Sequence, residues 1–162
     1  MVELILNRMI EYFGDDIKRI GHTLKVYGFA RAIAAGENIA GQELLVLETA
    51  ALLHDIGIHE AERLHNSSAG EFQELEGPPI ARAIMDEVCE DRSVIERVSY
   101  LVGNHHSYQR INGIDFQILV EADFLVNINE DNLSRDAADT IRRKYFKTVS
   151  GIKIISRLYS LK

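Results

Sequence analysis

Four ionisable residues of this chain interrupt the apolar stripes in which they lie. His22 is in phase with Val26, Phe29, Ala30 and Ile33, which places its imidazole on the inward face of a helix. His54 and Asp55 directly follow the apolar run Ala50, Ala51, Leu52 and Leu53, and Asp123 shares a stripe with Leu119, Ala122 and Val126. A buried ionisable group is costly unless it is paired or coordinates a metal. At any single position a buried histidine–carboxylate pair is explanation enough. Together, two imidazoles and two carboxylates from three core helices form a ligand set suited to a divalent metal of borderline character, such as manganese, iron, cobalt, nickel or zinc.

The elements that must carry these residues read as helices throughout. Apolar residues recur at three and four positions, and no sustained alternation bounded by turn residues occurs. A first helix is expected from Val2 to Phe13, ending at Gly14, and a second from an Asp15 or Asp16 cap to Ala35. A third runs from Gln42 to Ile56, apolar nearly all round and hence central, with Gly57 in the terminating position. Residues 59–77 lack clear periodicity and read as a loop, with or without a short helical piece. Pro78 and Pro79 suit the first turn of a fourth helix through Cys89, where a missing amide donor costs nothing. A fifth helix spans Ser93 to His106 and a sixth Ile114 to Asn129. One or two amphipathic helices follow to Leu161, and Ile152, Ile155, Leu158 and Tyr159 either pack internally or pair two chains.

Composition limits the function classes. With 46% hydrophobic and 27% charged residues, the 162-residue chain suits one packed domain over 1–162. A formal charge of -7 argues against nucleic acid or anionic lipid as a partner. Cys89 is the only cysteine, which excludes an internal disulfide and suits a reducing compartment, the cytoplasm by default. The most apolar stretch, Leu44 to Leu53, contains Glu48 and falls short of the ~20 residues of a membrane span. No basic, apolar and small-residue succession marks a signal peptide at the N-terminus.

At His22, His54, Asp55 and Asp123 the chain resembles the HD superfamily of metal-dependent phosphohydrolases, whose pattern is a histidine, an adjacent His-Asp pair and a distant aspartate. The segments AALLHDIG (50–57) and LVEADFLVNI (119–128) look like the family's ligand-bearing helices, and the resemblance covers roughly Ile20 to Asp131. It implies an all-α fold, a bundle of about six to eight helices around a central buried helix. It also implies a divalent metal, with magnesium joining the candidates above, and hydrolysis of a phosphate ester, nucleotides first among substrates. In HD-GYP phosphodiesterases, similar histidine pairs help bind additional metal, so His105, His106 and Glu76 are possible additional ligands. Glu76 stands roughly where two-metal members carry a histidine, and the GYP residues are absent, so one metal is preferred over two.

His105 continues the stripe of Val98, Leu101 and Val102, with His106 one step round the helix. In a hydrolytic mechanism Asp55 could take the proton of an activated water, and His105 or His106 could protonate the leaving oxygen. Lys25, three positions after His22, could hold a phosphate as a point charge, or be an exposed helix lysine. The segment Asn66 to Gly70 could donate to a phosphate or base, or form a simple turn. His59 and His65 have no partner at ligand spacing and read as surface or substrate-proximal residues. Two rival functions are a di-iron oxygenase, as in some proteins of similar fold, and a non-catalytic metal- or nucleotide-binding module. A homodimer is a possible assembly.

Overall fold

The computed structural model describes residues 1–89 and 91–161. Among them are nine α-helices and no strand: α1 Val2–Phe13, α2 Ile17–Gly36, α3 Gly41–Leu53, α4 Ile58–His65, α5 Gly70–Asp86, α6 Arg92–Val102, α7 Ile114–Glu130, α8 Arg135–Tyr145 and α9 Val149–Leu158. A 3-10 turn, Tyr108–Arg110, precedes α7. No helix among the described residues is long and apolar enough to cross a membrane.

Local chemistry sets several boundaries. Gly14 takes a left-handed φ of 61° and closes α1, a conformation that costs a residue without Cβ little. Asp16 then accepts from the backbone N–H of Arg19 and caps α2. Asp91, Ser134 and Thr148 cap α6, α8 and α9 in the same way.

Two helices form the centre. α3 is buried from Val46 to Leu53 with few breaks and packs against α1, α2, α6 and α7. α7 is just as enclosed, with buried side chains on every side, and packs against α2, α3, α8 and α9. The expected all-helical bundle around a buried helix is observed, with α7 sharing the central place. Of the tail, Ile155 is buried and Tyr159 packs on the core, while Leu158 stays exposed.

The reading of 59–77 as a loop with a short helical piece is corrected: α4 ends at His65 and α5 begins at Gly70, so only residues 66–69 remain a loop. The inward stripe of α5 is Gln73, Gly77, Ala81 and Met85, spaced four apart and mostly small or polar. Such a ridge gives little hydrophobic periodicity. Pro78 and Pro79 consequently lie inside α5, not in its first turn. Gly103 accommodates the first of them, since a Cβ there would stand 2.9 Å from Cγ of Pro78.

α3 stops at Leu53 and not at Ile56. His54 to Gly57 form a tightened turn, in which Ile56 N–H donates to Leu53 O (3.0 Å) and Ile58 N–H to Asp55 O (3.0 Å). Gly57 is not a left-handed terminator, its φ being -78°. It is required by close approach, because a Cβ there would lie 2.5 Å from the Gly77 nitrogen and 2.7 Å from the Gln73 carbonyl. The fifth expected helix likewise ends early, at Val102, and His105 and His106 lie in the following turn.

A buried carboxylate ties the C-terminal helices to the centre. Glu121, fully enclosed on α7, accepts from Gln117 Nε2, Lys147 N, Thr148 N and Thr148 Oγ1 at 2.5–2.9 Å. A Cβ on Gly151 would overlap Oε2 of Glu121, so glycine is the residue that leaves room for this arrangement.

Candidate metal centre

Side chains from α2, the turn after α3, and α7 converge on one point. Nε2 of His22 lies 3.3 Å from Nε2 of His54, 3.3 Å from Oδ1 of Asp123 and 3.5 Å from Oδ2 of Asp55. Nε2 of His54 lies 3.6 Å from Oδ2 of Asp55 and 3.8 Å from Oδ1 of Asp123. Ligands about 2.1 Å from a shared ion stand about 3.0–3.4 Å apart along the edges of an octahedron or tetrahedron. His22, His54 and Asp123 can therefore each offer one atom to a shared ion, and Asp55 reaches both imidazoles at nearly the same spacing.

The outer nitrogens explain why the inner ones face inward. His22 Nδ1 is 2.9 Å from Oε2 of Glu130, His54 Nδ1 2.9 Å from Ala51 O, and His105 Nδ1 2.8 Å from Val102 O. With its proton on Nδ1 facing such an acceptor, each imidazole in its neutral form would present the Nε2 lone pair, the arrangement that metal-binding histidines adopt. Two such Nε2 atoms 3.3 Å apart cannot hydrogen-bond to each other in their neutral forms. A cation between them satisfies both.

A second group adjoins the first through Asp55. Its Oδ1 lies 3.5 Å from Nε2 of His105, and Asp55, His105 and His106 can together offer one ligand atom each within 4.8 Å of one another. Nε2 of both His105 and His106 is buried with no hydrogen-bond partner among the described residues. The turn that carries them is pinned by Glu74 of α5, which accepts from His106 N and Ser107 Oγ, each at 3.0 Å. His106 also packs against Gly70 at the start of α5.

Crowding of charge shifts these groups in both directions. Burial pulls the His22 pKa down, but Asp123, Asp55 and Glu130 outweigh it and hold it at about 9. Burial lowers His54, and burial together with the neighbouring His105 pushes His106 down to about 4. His105 is raised because Asp55 overcomes its burial. Burial would raise Asp55, but the imidazoles of His54, His105 and His22 keep it below the usual carboxylate range; His22 and His54 do the same for Asp123.

The centre opens into a cavity of about 440 Å³. His22, Asp55, His106 and Asp123 line it together with Ser68 and Gln73. Lys18 and Arg19 also line it, whereas Lys25, expected to hold phosphate, does not; Lys25 is half-exposed and paired with Glu130. Glu76, a possible ligand by sequence, belongs to neither group and lies 2.8 Å from Nε2 of His65. His59 and His65 do have partners: His59 meets Asp16 at 2.9 Å, and His65 stacks on Phe72 at 4.2 Å. Within the polar segment, Ser68 lines the cavity and Ser67 closes a local turn onto Ala69 N.

Sequence reasoning missed Asn127 and Glu130. Asn127 Nδ2 donates to Oδ1 of Asp123 at 2.9 Å, and Glu130 accepts from His22. Their positions, four and seven beyond Asp123, are the helical spacing that could have found them.

A family model of the HD domain matches residues 19–147. Comparisons with curated proteins and with solved structures find no match. The matched span contains every residue of both groups, and along the chain His22, the adjacent His54 and Asp55, and Asp123 follow in the order of a histidine, a His-Asp pair and a distant aspartate. The chain belongs to the HD domain family, whose members are generally metal-dependent hydrolases.

Proposed function

We propose that the chain is a metal-dependent phosphohydrolase acting on a small phosphate ester, with nucleotides the first substrates to screen. The observation that carries this reading is the convergence of His22, His54, Asp55 and Asp123 beside a cavity that Lys18 and Arg19 also line. A divalent ion held by those four residues would supply Lewis acidity toward a phosphate oxygen and a water of lowered pKa. Lys18, which has no ion pair among the described residues, offers positive charge to the phosphate, and Arg19, paired with Asp16 and Glu62, lines the same cavity. In this reading Asp55 would accept the proton of the water through Oδ1, and His105, 3.5 Å from that oxygen, or His106, which lines the cavity, would protonate the leaving oxygen. Of these two, His106, with its pKa near 4, suits a neutral ligand better than an acid.

A second cation is favoured by one feature, the division of Asp55 between the two groups, its Oδ2 facing His22 and His54 and its Oδ1 facing His105. Two irons per chain with oxygen-dependent turnover would turn the reading toward an oxygenase, and tight nucleotide binding without turnover toward a sensing module.

The test is a metal-supplemented screen of nucleoside mono-, di- and cyclic phosphates, with elemental analysis of the same protein. His54→Ala and Asp55→Ala should lose bound metal and at least a hundredfold in phosphate release. Full turnover by a variant that holds no metal sinks the proposal.

A further inference from the structure

We infer that Glu130, held in place by Lys25, is the positioning residue that presents His22 to the metal, and that the pair tunes how tightly the ion is bound. The inference rests on the metal reading of the site. Glu130 divides its two oxygens: Oε2 lies 2.9 Å from Nδ1 of His22, and Oε1 accepts from Nζ of Lys25. With Nδ1–H committed to this carboxylate, the lone pair of Nε2 is directed at His54, Asp55 and Asp123. His54 and His105 are oriented by backbone carbonyls, which belong to the fold itself. Of the three imidazoles so oriented, only His22 depends on a side chain, so its geometry alone can be altered by substitution without rebuilding a turn.

The position of Glu130 argues that helix stability does not account for it. It is the last residue of α7, where the partial negative charge of the helix end disfavours a carboxylate, and Asp131 follows it with no basic residue in that turn. Lys25, on α2, supplies the compensating charge across the α2–α7 contact.

Zinc or manganese titrated into chelator-stripped protein tests this without reference to turnover. Glu130→Ala should weaken binding about 10- to 100-fold. Glu130→Gln, which keeps an acceptor oxygen for Nδ1–H, should recover most of that loss. Lys25→Met should cost severalfold, less than Glu130→Ala. In zinc-loaded protein, the His22 Nδ1–H resonance should persist in Glu130→Gln and vanish into exchange in Glu130→Ala. Affinity of Glu130→Ala within threefold of the wild type, or no recovery in Glu130→Gln, overturns the role of Glu130. Should the wild-type protein take up neither metal, the underlying metal reading fails instead.

Discussion

His22 carries carboxylates about both ring nitrogens, Glu130 at Nδ1 and Asp123 with Asp55 about Nε2, and this governs how the metal-free protein responds to pH. Its pKa, about 9, lies above the ordinary 6.5, so the stabilisation it contributes is complete below pH 6.5 and is lost as pH rises through 9. His106 acts in the opposite sense: held at about 4, it contributes above pH 6.5 and loses that contribution as pH falls toward 4. The thermal midpoint of metal-free protein should therefore peak near pH 6.5, and saturating metal should flatten the alkaline side, because the ion takes the place of the His22 proton. Calorimetry at pH 7 in buffers of different ionisation heat should show that proton leaving as metal binds; an uptake heat independent of buffer would contradict it. The four convergent ligand candidates were legible in the sequence because each broke an apolar stripe. Lys18 and Arg19 were not, because which cation reaches the cavity depends on the angle of α2 against α4 and α7, which no spacing along one helix encodes.

At the scale of elements, the turn bearing His54 and Asp55 meets α5 by close backbone approach. Gly57 meets Gly77, and Gly77 in turn packs under Val102, where a Cβ would stand 2.7 Å from Cγ1. Gly57→Ala should cost on the order of 2–4 kcal/mol, since the obstructing atoms are backbone and cannot rotate away. A fall in thermal midpoint of about 5–15 °C, with weakened metal uptake, is the expected result; unchanged melting would show that the helices slide apart freely. This contact also explains where sequence reading failed. Hydrophobic periodicity located α1, α2, α3 and α7 because their buried faces are aliphatic, whereas α5 buries Gln73, Gly77 and Ala81, and close approach substitutes for apolar area. Gly57 reads as a terminator because sequence cannot separate a glycine that needs a left-handed backbone from one that needs an absent side chain.

In the molecule as a whole, the ligands come from three separate helical segments that meet only in the folded chain, so metal binding and global stability are linked. At a free metal concentration about a hundred times the dissociation constant, the folded state gains about 2.7 kcal/mol, which raises the thermal midpoint by roughly 5–10 °C. A midpoint indifferent to zinc, manganese and iron would mean that no ion joins α2, the turn after α3, and α7. The all-helical class was legible from periodicity and composition, but the second central helix was not singled out, because the enclosure of Glu121 cannot be read from its own neighbours. That carboxylate bears on where the chain can be shortened. The family match stops at 147, inviting a trimmed version ending there, yet two of the four donors to Glu121 come from Thr148. Such a truncation would strip the interior carboxylate of half its donors next to the void vacated by α9, and it should be recovered as aggregate in larger proportion than a chain retained through 161.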